Sequence, residues 1–283
     1  MNQDLKERLF FLLLRLVTYA MVLVIGAILF DIVRKGLPVI SLSFLLEAPR
    51  QSGAEGGIFP AIVGTFYLVT GTLLVALPLG VGAAVYLTEY AGQGRFTQVV
   101  RMAILTLAGV PSIVFGLFGL GLFVIFCNFG ASILSGSLTL ACMVLPTIIV
   151  ASEEALRAVP QSLREGSLAL GATKWQTIRK NVLPYAVSGM LTGSILGIGR
   201  AAGETAPILL TAAAFYLPKL PTSVFDQVMA LPYHLYILAT QHPAAHKVVP
   251  MQYGTSLVLL ALVLGFSMSA ILLRVYFRKK YRW

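Results

Sequence analysis

The sequence predicts an all-α, polytopic membrane protein with six transmembrane helices. Hydrophobic residues make up 58% of the 283 residues and charged residues only 11%, whereas soluble domains carry roughly 25% charged residues. The mean hydropathy is +0.86. The apolar residues are gathered into stretches of about twenty residues or more, long enough to cross about 30 Å of hydrocarbon. Soluble enzyme and soluble binding-module classes are therefore excluded.

The first predicted span covers residues 9–32 and follows the charged segment Met1–Arg8. This apolar run is longer than the core of a signal peptide and has no small-residue cleavage site after it, so we expect it to be retained. The other predicted spans are 60–87, 99–126, 132–151, 184–212 and 253–276. We expect residues 1–283 to form a single transmembrane domain, with its core spans within 60–276.

The distribution of Lys and Arg predicts the orientation of the chain. The net charge is +10, and in a membrane protein such an excess marks the cytoplasmic loops, so no nucleic acid is expected as a partner. One set of loops and termini is rich in Lys and Arg: Lys6, Arg8, Arg95, Arg101, Arg157, Arg164, Lys174, Arg179, Lys180, Arg278, Lys279, Lys280 and Arg282. The opposite loops hold Arg34, Lys35, Arg50, Lys219 and Lys247. Both termini are therefore expected in the cytoplasm, with lipid around the spans.

Two long outer segments, 33–59 and 213–252, mix polar and apolar residues with several Pro and Gly. They could receive a partner from the far side of the membrane, or they could only cap the helices. Residues 225–229 are expected to form a short helix at the membrane interface.

The longest inner loop, residues 153–184, has the pattern of short helices rather than of a disordered connector. Pro160 is expected to end the preceding helix. Ser162 is a candidate N-cap for the next helix, with Glu165 three residues later as in a capping box. Gly171 is suited to a left-handed residue that ends this helix.

A third short helix is expected after Gly171, with Thr173 as its cap and Trp175 on its surface. Pro184 marks the return to the membrane. A solvated connector has little use for an exposed Trp or for two caps around a Gly turn, so we interpret the loop as a docking element.

The loop resembles the EAA loop of ABC-importer permeases. Residues Glu165-Gly166-Ser167 stand in the place of the Glu-Ala-Ala triplet, and Gly171 and Leu183-Pro184 follow at the family's spacing. The departures are Gly166 and Ser167 for the two Ala residues, and Asn181 for an Ile. This resemblance implies the type I ABC-importer permease fold.

The resemblance also implies that the loop docks into a separate ATPase subunit, with Glu165, Leu168, Gly171 and Trp175 as the coupling residues. The sequence contains no Gly-x-x-x-x-Gly-Lys-Ser/Thr motif, the loop that cradles nucleotide phosphates. We therefore expect a transport subunit rather than an enzyme, with no cofactor bound by this chain. ATP and Mg²⁺ would be used by the partner ATPase.

The fifth predicted span carries an unusual charged stripe. If the span were one helix, Gly189, Gly193, Gly197, Arg200 and Glu204 would fall within an arc of about 80°. The three glycines would allow close packing of another helix. A lone Arg at lipid depth costs about 2.5–3.5 kcal/mol, so Arg200 and Glu204 are interpreted as part of a translocation pathway or gate. A structural lock between the two side chains is the alternative.

Ser112 is a further candidate for the pathway. It follows Pro111, which interrupts the third predicted span, and broken helices at membrane depth often line cavities. A simple proline kink is the alternative. We expect no metal site: Cys127 and Cys142 lack ligand spacing, and three histidines stand in an outer segment with Pro243 between the last two.

Three segments resemble the PstA-type permeases of high-affinity phosphate importers, a branch of the same family. They are residues 56–65, residues 111–116 and Gly199-Arg-Ala-Ala-Gly-Glu-Thr-Ala-Pro207, and the resemblance extends over about 56–276. It implies inorganic phosphate as cargo, a homologous permease partner (PstC), a dimeric ATPase subunit (PstB) and a periplasmic phosphate-binding protein (PstS). It also implies the bacterial cytoplasmic (inner) membrane as location.

Three alternatives stay open at this point. The permease could carry another small oxyanion such as sulfate or molybdate. An integral-membrane enzyme could use Arg200 and Glu204 for acid–base chemistry, but the docking loop would then have no purpose. A membrane receptor without transport would share the same partners.

Overall fold

The computed structural model describes residues 3–53, 55–92, 94–243 and 246–280. Within these residues five helices are long and apolar enough to cross a membrane, and a bent pair of helices makes a sixth crossing. The predicted all-α architecture with six spans is confirmed. The helices are α1 (Gln3–Gly36), α2 (Leu42–Leu46), α3 (Phe59–Val85), α4 (Arg95–Ala108), α5 (Ser112–Gly119), α6 (Ile133–Arg157), α7 (Gln161–Ala169), α8 (Lys174–Thr177), α9 (Leu183–Gly203), α10 (Ala206–Thr211), α11 (Leu231–Thr240) and α12 (Val249–Lys280).

Several short elements join these helices. Three π-helical segments follow α3, α5 and α8, at Tyr86–Tyr90, Leu120–Phe126 and Ile178–Val182. Two-residue strands, β1 (Pro49–Arg50) and β2 (Glu55–Gly56), pair in antiparallel fashion in the first outer segment. Short 3₁₀ turns occupy Leu37–Val39 and Gln51–Gly53.

Helix α6 lies at the centre of the bundle, with α3 and α9 packed along it. Its side chains Leu140, Met143, Val144 and Ile148 are almost fully buried. The most apolar window of α6 is 67% buried, whereas that of α1 is not buried at all and that of α12 is 6% buried. The long outer helices α1 and α12 therefore lie at the periphery, where lipid or another subunit can cover them.

One polar contact fastens α1 to α12 near the outer end of the bundle. The Tyr253 hydroxyl of α12 donates to Asp31 Oδ2 of α1 at 3.0 Å. The Lys35 ammonium lies 2.9 Å from Asp31 Oδ1. Because α1 packs chiefly along α12, this contact fixes its position at one end.

The glycines of α9 lie where this helix meets α6. A Cβ atom placed on Gly193 would lie 2.5 Å from Ala151 Cβ, and one on Gly189 would lie 2.5 Å from Ala155 Cβ. A Cβ on Gly197 would meet Ile148 at an ordinary 3.5 Å. The backbones of α6 and α9 therefore approach so closely that Gly189 and Gly193 have no room for a side chain.

The predicted interruption of the span 99–126 at Pro111 is confirmed, and the break is far sharper than a simple proline kink. The helical segments Arg95–Ala108 and Ser112–Phe126 meet at 105°. Pro111 is extended (φ −58°, ψ 140°) and precedes the first residue of α5. Its ring removes a backbone N–H and clashes with the preceding turn, so the α4 helix cannot continue through it.

The prediction of one helix over 184–212 is wrong, since α9 ends at Gly203 and α10 begins at Ala206. Pro207 explains the break, because its ring would collide with the Gly203 carbonyl four residues earlier. Glu204 is consequently extended (φ −76°, ψ 132°).

The second outer segment folds back into the bundle, and the expected helix over 225–229 is not formed. Asp226 Oδ2 accepts hydrogen bonds from the backbone N–H groups of Thr222 (2.7 Å) and Ser223 (2.9 Å), which lower the pKa of this carboxyl group. Beyond that turn, Val228 is bridged to Ala213 and is 1% exposed. The turn and the pairing replace a helix here, and the helix of this segment is α11.

The fit of α9 against α6 predicts a stability difference between two Gly→Ala substitutions. Gly193→Ala should lower the stability of the purified chain by about 1–3 kcal/mol, because the new methyl group overpacks the contact with Ala151. Gly199→Ala lies on the same helix with nothing within 4 Å of the added Cβ, and it should be neutral or slightly stabilising. Thermal unfolding in detergent measures both. Equal midpoints for the two variants would contradict the packing, and Ala151→Gly should restore Gly193→Ala.

Candidate functional site

Arg200 and Glu204 form an ion pair at the end of α9. Arg200 Nε donates to Glu204 Oε1 at 3.4 Å, with the two side chains 35% and 19% exposed. Because Glu204 is the extended residue after α9, it does not continue the glycine face, as the sequence had suggested. It reaches back from the helix break to Arg200 instead.

The pair leaves most of the Arg200 donors available. Among the described residues, the Arg200 side chain makes one hydrogen bond, the long one from Nε. Its planar fork is suited to two parallel hydrogen bonds with an oxyanion. Its position in the last turn of α9 is favourable for a cation, since the helix dipole is negative there. The arrangement can bind an anion while a carboxylate stands ready to neutralise the guanidinium.

Helix α5, which follows the break at Pro111, packs against α10, which follows the break at Glu204. A Cβ on Gly116 of α5 would lie 3.1 Å from the Ala206 carbonyl oxygen and 3.1 Å from Pro207 Cα in α10. Ser112 is the first residue of α5 and is half-buried. The structure thus brings the element of Ser112 beside the segment that follows Glu204. Among the described residues it shows no hydrogen bond between Ser112 and the ion pair.

The docking loop, residues 153–184, contains the Gly turn at Gly171. This residue has φ +82°, its N–H donates to the Leu168 carbonyl at 2.9 Å, and the Ala172 N–H donates to the Ser167 carbonyl at 3.2 Å. These two bonds are those of a Schellman motif, which ends a helix with a left-handed residue. A capping box follows, in which Thr173 and Gln176 bond each other's backbone N–H.

The prediction that Ser162 caps α7 is wrong. Helix α7 begins at Gln161, and Pro160 (φ −55°, ψ 137°) occupies the cap position without a side-chain hydrogen bond. The fixed φ of Pro160 places the extended residue directly before Gln161. Ser162 is consequently inside the first turn, where it is exposed.

Helix α7 has distinct inner and outer faces. Leu163 packs against a buried apolar cluster, and Arg164 and Ser167 face the bundle with it. Glu165 and Leu168 are exposed, and Leu170 at the tip is 91% exposed. Leu170 lies directly before the Gly171 turn, and the candidate coupling residues had omitted it.

Trp175 lies apart from the outer face of α7. It lines an apolar groove of about 580 Å³ with Pro78, Tyr86, Tyr90 and Leu183 at the end of α3 and the start of α9. No described residue of α7 lines this groove. Since Trp is enriched at membrane–water boundaries, this environment favours a boundary role for Trp175 over docking.

Two polar contacts behind α7 were missed by the sequence reasoning. Arg164 pairs with Glu89 at 2.8 Å. Asn181 Nδ2 donates to Ser167 Oγ at 2.8 Å, and Ser167 Oγ lies 2.9 Å from Thr177 Oγ1. A signal for the second contact existed, because Ser167 and Asn181 are two of the departures from the family's loop pattern, and they bond each other.

A polar cleft of about 880 Å³ opens beside these contacts, between α7 and the cytoplasmic ends of α3, α4 and α6. Its charged lining residues are Glu89, Arg101, Arg157, Arg164 and Lys174. Glu153 lies behind it and is shared by Arg157 (3.1 Å) and Arg101 (3.5 Å).

The remaining candidates for metal ligation do not converge. Among the described residues, no group of three or more His, Cys, Asp or Glu side chains is placed to hold a metal ion. His234 is buried, and burial lowers its pKa to about 4, so it is neutral near pH 7. His246 is exposed in the same outer segment.

Residues 76–283 match the model of a protein family described as the binding-protein-dependent transport system inner membrane component. The chain belongs to this family. Its docking loop, its helix breaks and the Arg200–Glu204 pair all fall inside the matched residues.

Curated relatives support the assignment over most of the chain. A probable ABC transporter permease protein, YqgI of Bacillus subtilis, is 35% identical over 84% of this chain and 85% of its own. The phosphate transport system permease protein PstA 1 of Mycobacterium tuberculosis is 38% identical over 87% and 78%. The probable phosphate transport system permease protein PstA of Methanocaldococcus jannaschii is 36% identical over 92% and 91%.

Solved structures share the fold at low sequence identity. A subunit of a bacterial ABC transporter for import of the acidic polysaccharide alginate aligns with a TM-score of 0.67 at 13% identity, over 97% of this chain and 98% of its own. A chain of the inward-facing MetNI methionine ABC transporter aligns with a TM-score of 0.57 at 18% identity, over 78% and 94%. The predicted type I ABC-importer permease fold is confirmed.

The geometry of the loop predicts opposite effects for two neighbouring Gly→Ala substitutions. Gly171→Ala should destabilise the turn by about 1–2 kcal/mol, because the left-handed conformation is costly for a residue with a Cβ. Gly166→Ala lies inside α7 with open space around the new methyl group, so it should be neutral or stabilising.

Hydrogen exchange over residues 161–182 of the purified chain measures this difference. We expect faster exchange in Gly171→Ala, by about tenfold, and unchanged or slower exchange in Gly166→Ala. Equal exchange in both variants would show that the loop does not depend on the conformation of Gly171.

Proposed function

We propose that this chain is the transmembrane subunit of an ATP-driven importer that moves inorganic phosphate across the bacterial cytoplasmic membrane. The observation that carries the proposal is the continuous helical stretch Lys174–Gly203. One end of this stretch follows the docking loop, and the other carries Arg200, a cation with donors to spare. A subunit built this way can connect an event in the cytoplasm to an anion in the membrane.

The choice of phosphate follows from the relatives and from the chemistry of Arg200. Two of the relatives described above are phosphate transport system permease proteins, which favours phosphate over sulfate or molybdate. An Arg guanidinium bonds phosphate oxygens through two parallel N–H groups. The other readings are less favoured, because an enzyme or a receptor would not account for a permease-type docking loop.

The proposed partners follow from the same assignment. A separate ATPase dimer of the PstB type would use ATP and Mg²⁺ and would contact the outer face of α7, at Glu165, Leu168 and Leu170. A homologous permease of the PstC type would complete the pathway, and a periplasmic binding protein of the PstS type would deliver phosphate to the outer segments. The charge distribution favours a cytoplasmic location for both termini.

The proposed transport step exchanges one anion for another at Arg200. In the empty state Glu204 holds the guanidinium at 3.4 Å, which limits the cost of an uncompensated charge away from bulk water. Arriving phosphate takes the place of the carboxylate. Because Glu204 stands on the extended residue between α9 and α10, the carboxylate can move without unwinding either helix.

The distance from the docking loop to Arg200 is the distance over which a movement in the loop must be transmitted. From Lys174 to Arg200 the helical stretch is about 39 Å long at about 1.5 Å per residue. The glycines of α9 hold this stretch closely against α6. A displacement at Lys174 is therefore felt at Arg200.

Uptake of labelled phosphate into proteoliposomes tests the proposal, with this chain, its candidate permease partner, ATPase and binding protein reconstituted together. We expect ATP-dependent phosphate uptake that exceeds sulfate uptake. Arg200→Met should reduce uptake roughly 10- to 100-fold, as expected for the loss of a hydrogen bond to a charged group. Glu204→Gln should also reduce uptake, because the amide cannot neutralise the empty guanidinium.

Arg274→Met, a half-buried cation of α12 away from the pair, serves as the control and should retain uptake. An assembled, ATP-hydrolysing complex whose phosphate uptake is unchanged by both Arg200→Met and Glu204→Gln would remove the pair from the pathway. Sulfate uptake in place of phosphate uptake would change the cargo.

A further inference from the structure

The Arg164 side chain of α7 connects three elements of the structure. Its Nη2 and Nε donate to Glu89 Oε1 at 2.8 and 3.2 Å. Its Nη1 donates to the Val159 carbonyl at 2.7 Å, and its Nη2 also donates to the Leu156 carbonyl at 2.8 Å. Glu89 belongs to the π-helical segment after α3, and the two carbonyls stand at the end of α6.

The residue types suit this junction. The last carbonyls of a helix lack partners within the helix, and the negative end of the α6 dipole favours a cation. Only an Arg offers a rigid fork of donors that can serve a carboxylate and two carbonyls at once. A Lys at position 164 would keep the charge but could not reproduce this fork.

Burial distinguishes this pair from the other cytoplasmic ion pairs. The side chains of Arg164 and Glu89 are 13% and 8% exposed. By contrast, Arg157 is 55% exposed and pairs with Glu153 of its own helix, an arrangement of little energetic weight. Unlike that pair, Arg164–Glu89 joins helix α7 to the end of a membrane-spanning stretch, Phe59–Tyr90.

Helix α7 has a second attachment one turn further along. Ser167 bonds Asn181 and Thr177, which lie at the start of the helical stretch that leads to Arg200. The inner face of α7 is thus fixed to α3 through Arg164 and to the α9 side through Ser167. A displacement of α7 pulls on both helices.

The segments that receive these two attachments share one feature. Glu89 lies in the π-helical segment Tyr86–Tyr90, and Asn181 lies in the π-helical segment Ile178–Val182. Such widened turns are frequent at functional sites. Both attachments of α7 therefore end on a π-helical turn that adjoins a membrane-spanning helix.

We propose that Arg164 and Glu89 are a positioning pair that transmits the ATPase-driven displacement of α7 to α3. This proposal rests on the proposed function of the chain as an importer subunit. The pair touches neither cargo nor nucleotide. Its role is to make the end of α3 move together with α7. Without it, α7 still docks and ATP is still hydrolysed, but α3 no longer follows.

The test compares ATP hydrolysed per phosphate transported in the reconstituted complex. The single variant Arg164→Met leaves Glu89 buried without its partner and is expected to assemble poorly. The double variant Arg164→Met/Glu89→Gln removes both charges and is expected to fold and assemble. For the double variant we expect hydrolysis to continue while ATP consumed per phosphate rises at least tenfold.

Arg157→Met is the matched control, since it removes a cation from the same cleft without breaking a link between elements. It should keep the wild-type ratio. A double variant with the wild-type ratio would overturn the proposal and leave the pair a purely structural clip. A double variant that is less thermally stable but keeps the wild-type ratio would likewise overturn the proposal.

A second measurement does not depend on the cargo. Spin labels at Gln161→Cys on α7 and Tyr86→Cys beside Glu89 report the distance between the two helices, in a chain where Cys127 and Cys142 are replaced by Ser. With Arg164 and Glu89 present, the distance should be the same with and without ATP, and in the double variant it should change on ATP binding. An unchanged distance in both proteins would overturn the positioning role. Absence of phosphate uptake by the wild-type complex would instead contradict the proposed function, and the labels would still decide the role of the pair.

Discussion

Close packing of α9 against α6 is the contact on which the rest of the structure depends. Gly189 and Gly193 meet Ala155 and Ala151 so tightly that no side chain fits between the two backbones. In lipid, where apolar side chains gain little by leaving the solvent, such packing supplies the association of helices. It holds α9 along the central helix, and so it fixes where the docking loop and Arg200 stand relative to each other.

The charged groups are organised around this packed pair of helices. At the end of the bundle that carries the docking loop, Arg164 and Glu89 are largely buried, and Arg164 also bonds two backbone carbonyls, which fastens α7 to the bundle. At the other end of α9, Arg200 makes one long hydrogen bond to Glu204, and its side chain is 35% exposed. An ion pair with several further hydrogen bonds, such as Arg164–Glu89, is suited to transmit force. A pair with one long hydrogen bond, such as Arg200–Glu204, is suited to exchange partners. The different geometries therefore agree with the different roles proposed for them.

Much of this was predictable from the sequence, and the failures have physical reasons. The lengths of the apolar stretches predicted the membrane spans. The turn at Gly171 was predicted because glycine readily adopts the positive φ that such a turn needs. Pro111 and Pro207 indicate that a helix cannot continue through them. A proline does not, however, determine the bend angle of 105° or the extended conformation of Glu204. Arg164 and Glu89 are 75 residues apart, and nothing in a single sequence says that they meet.

We would compare structures of the assembled complex without nucleotide and with ATP bound to a hydrolysis-deficient ATPase. They would show whether movement of the docking loop reaches Arg200. The quantity to compare is the position of Lys174 and of Arg200 relative to α6. The account predicts that Lys174–Gly203 moves along α6 as one unit when α7 moves, and that the Arg200–Glu204 separation changes with it. Displacement of α7 with Arg200 unmoved relative to α6 would contradict this prediction.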